Sequence, residues 1–255
     1  FFTNVSKIVL ISALIVFNWV NTYLCQMHNL EYQKALTTYL EGFVSERRRG
    51  RLTEVLEERT NHLTIVLEDV YQSHNFSAVL RSADIFGVQN IHFIENRNKY
   101  KISEDVSMGS TQWLTLNRYQ KFENNTKECI TQLKNKGYKI VATSLNERSV
   151  TLNQLKIDQP TALIFGTELT GISQDVVEMA DEFVYLPMYG FTESFNISVC
   201  AALCMHELTN KIRKEVANYK LSESEKEEIY LEWLKVSIRK HDLIIKEFDS
   251  KYNKR

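Results

Sequence analysis

The sequence predicts an α/β protein, a parallel sheet with helices on both faces. Two observations carry this. From Leu63 to Val216 short β-branched runs alternate with longer segments of helical period, which is the pattern of strand–helix–strand units. Only 8 Gly and 2 Pro occur in 255 residues, so the chain has little room for long irregular connections. Hydrophobic content of 44% and charged content of 25% suit one well-cored domain with short extensions.

The elements follow in order. Ile8 to Val20 is an apolar run, too short for a transmembrane helix, with no small-residue cleavage context after it. The first Met is Met27, so residues 1–26 are expected to be upstream sequence, a signal-like segment being the alternative. Leu30 to Phe43 and Arg51 to Arg59 read as helices of a basic extension, 27–61. Leu63 to Leu67 is a strand, Asn75 to Phe86 a helix stopped by Gly87, and Val88 to Ile94 a strand. Thr126 to Lys136 is helical, Tyr138 to Thr143 extended, and Thr161 to Phe165 a strand ended by Gly166. Ser173 caps a helix over Gln174 to Ala180, Phe183 to Leu186 is a strand, and Phe195 to Val216 a long apolar helix. These close a domain over 62–216. Ser222 to Phe248 reads as one amphipathic helix of a C-terminal extension, 217–255.

Composition limits the chemistry. Net charge is −1, yet Arg47, Arg48, Arg49 and Arg51 form a basic cluster, and Lys211, Arg213, Lys214 and Lys220 form a second. Either is a solvated helix face or a phosphate contact. Cys25, Cys129, Cys200 and Cys204 show no metal-site spacing with His, so no metal is expected, and Cys200 and Cys204 read as small core residues of a reducing, cytoplasmic environment. No Walker loop, no G-x-G-x-x-G after the first strand and no hydrolase triad order is present.

Ligands of open α/β sheets bind beyond the carboxyl ends of the strands. Three loops there are polar: Glu68 to Asn75, leading into the helix that carries Arg81; Gly166 to Gly171, with Glu168 between the glycines; and Leu186 to Asn196. Singly, Asn75, Ser194 and Asn196 could be helix caps, Arg81 a salt-bridge partner, and the glycines turn residues.

Together and in this order, the His74–Asn75 and Arg81 segment, the Gly166 to Gly171 loop and the Leu186 to Ser198 segment resemble the three motifs of the SpoU family of SPOUT methyltransferases. The likeness spans roughly Arg47 to Lys214 and is greatest to the members that methylate guanosine 18 of the tRNA D-loop. The resemblance implies a SPOUT fold with a C-terminal trefoil knot, S-adenosyl-L-methionine as cofactor, tRNA as partner, and a homodimer without membrane attachment. It implies cofactor contacts at Thr143, Gly166, Leu186, Met188 and Phe195. Catalytic and structural roles fall on Asn75, Arg81, Glu168, Ser194 and Asn196, and RNA contacts on Arg47, Arg48, Arg51, Lys211 and Arg213. The family often has two arginines at the positions held here by Asn210 and Ile212, so Lys211 and Arg213 stand one residue, about 100° of helix, away. A ribosomal RNA methyltransferase of the same family and a catalytically silent RNA-binding module are the competing readings. The dimer is expected through the long helix, by Phe195, Val199, Ala202, Leu203 and Leu208.

Overall fold

A computed structural model describes residues 30–99, 109–167 and 170–252. The segment 1–26 and Glu168 lie outside the described residues. The chain divides into two compact units, Phe1–Thr53 with Glu227–Arg255, and Glu54–Lys226.

The larger unit is built on β1 (Leu63–Glu68). Every residue of this strand is buried, because β2 (Asn90–Ile94) and β6 (Thr161–Phe165) flank it on both edges. That is why Leu63 to Leu67 reads as continuous apolar sequence rather than alternation. With β3 (Thr115–Tyr119), β4 (Lys139–Thr143), β5 (Val150–Thr151) and β7 (Glu182–Tyr185), the strands form one seven-stranded sheet in the order β3-β2-β1-β6-β4-β7-β5. Every pairing is parallel, as the sequence predicts. The sequence does not announce β3 and β5. β3 is an edge strand with polar Asn117 and Arg118 at its centre, and β5 has two residues, too few for a period.

Helices cover both faces. On one, α3 (Ser73–Phe86) packs against α6 (Ile197–Glu215). Phe76, Val79, Leu80, Ala201, Met205 and Leu208 join β1 and β6 side chains in that core. Leu208, expected at an exposed face, is fully buried. On the other face, α4 (Asn125–Asn135) and α5 (Gln174–Met179) pack together over Val66, Ile140 and Ile164. Ser173 caps α5 as expected, accepting from Val176 N. Gly87 ends α3 at φ 77°, and a Cβ there would stand 2.6 Å from the Glu58 carbonyl oxygen, so the position admits only glycine.

The smaller unit holds helical backbone over 30–41, designated α1, the arginine-bearing part of α2 (Glu46–Leu56), most of α7 (Glu223–Ser237), and α8 (His241–Tyr252). Leu36, Leu40, Trp233, Leu234 and Phe248 are among its buried residues. Tyr32 joins the two chain ends: its hydroxyl donates to Asp249 Oδ1 at 2.7 Å, and its ring meets Phe248 and Tyr252 edge-on. Residues 54–61 and 217–226, which the sequence reading assigns to the extensions, belong to the larger unit. The expected single tail helix is two, broken at Lys240, which has φ 61°. Among the described residues no helix is long and apolar enough to cross a membrane.

Candidate active site

Sheet order determines what meets at the carboxyl ends. β4 lies between β6 and β7, so the loops after Thr143, Phe165 and Tyr185 are neighbours although the chain separates them. Thr143 Oγ1 donates to Ile164 O at 3.1 Å, which ties two of these ends together. A cavity of ≈ 200 Å³ opens there. Thr143, Leu186, Met188, Ser194 and Phe195 all line it, so four of the five expected cofactor residues and one of the expected catalytic residues come together.

Gly166 is the exception, as it is absent from the lining. A Cβ at Gly166 would stand 2.2 Å from the carbonyl carbon and oxygen of Gly171. The missing side chain lets residues 166 and 171 close on each other, with Thr167 N donating to Gly171 O at 2.9 Å and Gly171 N to Thr167 O at 3.0 Å.

Leu145, Val184, Leu186, Met188 and Phe195 make the cavity walls apolar, while Thr143, Ser144, Glu193 and Ser194 bring hydroxyls and one carboxylate. That donor set fits an amphipathic cation carrying an aromatic base and a ribose: apolar walls for the base, acceptors for hydroxyl and amino groups, a negative charge for the positive one. Cys200 and Cys204 also line it. Cys204 is raised far above the usual thiol range by its hydrogen bond to Cys200 and by burial. Cys200 is lowered by that same bond, against the opposing effect of its own burial.

The first and third polar loops meet directly. Asn196 Nδ2 donates to Asn75 Oδ1 at 3.0 Å, across 121 residues of sequence. Asn75 is buried, and its Nδ2 donates to Gln72 Oε1 at 3.1 Å. Asn196 also caps α6, its Oδ1 accepting from Ser198 N at 2.9 Å and Ser198 Oγ at 2.6 Å. Asn196 therefore caps α6 and at the same time joins the third polar loop to the first. Arg81 is exposed on α3 and lines neither this cavity nor any contact with Asn75 or Asn196. Among the described residues it has no hydrogen-bond or charge partner.

Two expected RNA contacts are committed within the chain. Lys211 Nζ donates to the carbonyl oxygens of Asn153 (2.9 Å) and Leu155 (2.6 Å). Arg213 donates to Glu58 Oε2 at 2.8 Å and Glu58 O at 2.9 Å, with its guanidinium over the Tyr219 ring. Both cations are half-buried and hold connections in place. Arg47, Arg48 and Arg51 are exposed on α2, in the other unit.

The sequence did not single out Glu68 and Asp69, two acids that are only 2% and 7% exposed. Glu68 accepts from Thr126 Oγ1 (2.7 Å), Ser173 Oγ (2.7 Å) and Ser173 N (2.9 Å). Asp69, at φ 52°, accepts the backbone N–H of Asn96, Arg97 and Asn98 at 2.8, 2.8 and 3.2 Å. An acid pair directly after an unbroken apolar strand is the signal that could have found them, since a carboxylate so buried needs partners.

An open parallel sheet with a lined cavity beyond its carboxyl ends defines an α/β protein whose ligand site lies where open sheets place it. The model of the SpoU rRNA Methylase family matches residues 62–206. The chain is 44% identical over 205 residues to the tRNA (guanosine(18)-2′-O)-methyltransferase of Borreliella burgdorferi, covering 80% of this chain and 92% of that one. It is 36% identical over 198 residues to the enzyme of the same name from Aquifex aeolicus, covering 76% and 92%. The crystal structure of the A. aeolicus TrmH/SpoU tRNA modifying enzyme superimposes with a TM-score of 0.68 at 33% identity, over 76% of this chain and 98% of that one. The chain belongs to the SpoU methylase family.

Proposed function

We propose that this chain transfers a methyl group from S-adenosylmethionine to the ribose 2′-oxygen of guanosine 18 in tRNA. The observation that carries this is the cavity lined by Thr143, Leu186, Met188, Ser194 and Phe195, in a chain that is 44% identical to a tRNA (guanosine(18)-2′-O)-methyltransferase.

When bound, the cofactor supplies a methyl group on a sulfonium, a good leaving group. The work left to the protein is to hold the ribose oxygen in line and to stabilise the charge that develops on it. Arg81 serves that charge. A guanidinium stays protonated, so it orients the hydroxyl and faces developing alkoxide rather than taking the proton. The Asn75–Asn196 bond fixes the two loops that frame the reaction, and Ser194 and Glu168 belong to the same set. Arg47, Arg48 and Arg51 contact phosphates. Residues 27–61 and 217–255 flank the catalytic domain at 62–216, and the C-terminal part of the sheet is knotted.

The working form is a cytoplasmic homodimer. Ile85, Phe195, Val199 and Leu203 expose apolar side chains on α3 and α6 or at their margin, and Arg81 is exposed on α3. A second copy laid on this layer covers the apolar surface and completes the surroundings of Arg81. Light scattering at micromolar concentration is expected to give twice the chain mass, and a monomer would refute this.

The decisive test uses purified protein, unmodified tRNA and labelled S-adenosylmethionine, with mass mapping of the product. Methylation at the 2′-oxygen of guanosine 18 is expected. Arg81→Ala is expected to lower the rate about 10²-fold or more with cofactor affinity unchanged. Methyl transfer to ribosomal RNA alone, or cofactor binding without transfer to any RNA, would overturn the reading.

A further inference from the structure

The loop between β7 and α6 presents two faces. Leu186, Met188, Glu193, Ser194 and Phe195 turn toward the cofactor cavity and line it. Tyr189 and Phe191 do not line it. They are 97% and 107% exposed, the two most exposed large apolar side chains among the described residues. Among those residues neither ring has a hydrogen bond, an aromatic neighbour or a cation against it. A single exposed aromatic is ordinary on a protein surface, but two such rings one residue apart at the mouth of a site mark a contact surface.

Their position follows from the chain itself. Tyr189 is bonded to Met188, so its Cα lies about 3.8 Å from that of a lining residue. Phe191 is two residues from Glu193, at most about 7 Å between Cα atoms. Both rings therefore stand on the rim of the cavity, on its solvent side. Methyl transfer needs the ribose oxygen about 3–3.5 Å from the carbon it attacks, so the nucleotide must come down onto this rim. Its base hangs from C1′, the carbon next to the one that bears the reacting oxygen, and so arrives beside the rings. What an exposed aromatic ring offers an unstacked base is its π face.

We infer that Tyr189 and Phe191 are stacking platforms for the RNA: they hold the base of the nucleotide being methylated and the base beside it while the ribose lies over the cofactor cavity. Stacking tolerates any sequence because every base has a π face. The rings therefore contribute affinity and placement, and leave the choice of base to other groups. Phe191 has no polar atom on its ring with which to read a base edge. The apolar surface assigned to the dimer is separate, since Val199 and Leu203 lie farther along α6. A protein partner would also be met as well by leucine as by an aromatic ring, which the test uses. The inference rests on the ribose-methylation reading and adds to it the residues that hold the RNA at the cavity.

The test measures the Kd for tRNA by filter binding with S-adenosylhomocysteine present, and KM and kcat for methyl transfer. Both side chains are exposed, so their replacement leaves the core intact. Tyr189→Ala and Phe191→Ala are each expected to raise Kd and KM about tenfold, with kcat at saturating tRNA within about twofold of wild type. Tyr189→Phe and Phe191→Trp keep a ring and are expected to bind within about twofold of wild type. Tyr189→Leu and Phe191→Leu keep apolar bulk without a π face and are expected to bind as weakly as the alanine variants. S-adenosylmethionine affinity by calorimetry and chain mass by light scattering should not change in any of them. If the alanine variants keep wild-type Kd, or if leucine serves as well as the ring, the stacking site is refuted while the methylation reading stands. Weakened cofactor affinity would make the rings a cover for the cofactor, and a loss of dimer would make them part of the subunit contact; either result also overturns the inference. If wild type methylates no RNA, both readings fail together.

Discussion

The bond between Asn75 and Asn196 joins the first and third polar loops side chain to side chain, and its worth can be worked out. Asn196→Ala removes two things. One is the α6 cap, worth about 1 kcal/mol. The other is the hydrogen bond to buried Asn75, also worth about 1 kcal/mol. The expected loss of unfolding free energy is therefore about 2 kcal/mol. Asn196→Asp separates the parts. A carboxylate still accepts from Ser198 N and Oγ, and its charge suits a helix N-terminus, but it has no Nδ2 to donate. It is expected to cost about 1 kcal/mol or less. Urea denaturation of Asn75→Ala, Asn196→Ala and the double variant gives the coupling directly, expected at about 1 kcal/mol. Methyl-transfer rates on the same proteins should drop together in the two single variants, because each frees both loops. A coupling below about 0.3 kcal/mol, or an Asp variant as unstable as the Ala variant, would refute the claim that this contact joins the loops.

Three further outcomes follow from individual contacts. Gly166→Ala must push residue 171 away, because the new Cβ would start 2.2 Å from the Gly171 carbonyl; a loss of about 1–3 kcal/mol in thermal or urea melts is expected, and wild-type stability would show that the loop yields freely. Burial, reinforced by Lys136, lowers His92 from 6.5 to about 4. The unfolded chain therefore binds a proton that the folded one refuses between these values, so stability is full above about 6.5 and falls by about 3 kcal/mol as pH drops to about 4; His92→Phe should flatten urea midpoints compared at about pH 7 and about pH 5, and an unchanged slope would count against it. Cys200 lines the cavity and is lowered by the Cys204 hydrogen bond, so S-adenosylmethionine should protect it from iodoacetamide, followed by peptide mass; equal labelling with and without cofactor would move the cofactor elsewhere.

The sequence by itself determined what local physics controls. Leu63 to Leu67 can be read as a buried parallel strand because its apolar run has no polar face to expose, and Ser173 as a cap because its partner is three residues away. The order of strands and helices, and the identity of the three polar loops, follow from the same short-range rules. What it could not determine depends on partners far along the chain. Lys211 and Arg213 look like surface cations by composition, yet their acceptors are Asn153, Leu155 and Glu58. β3 has no apolar period because an edge strand buries little, and parallel pairing with β2 defines it. Asn75 and Asn196 become one structure only when α3 and α6 pack on the same face of the sheet. Glu68 and Asp69 resemble the solvated start of a loop until α4, α5 and the turn after β2 close over them. Periodicity records which face of an element is buried, whereas only the folded chain decides which groups, distant in sequence, satisfy a buried charge.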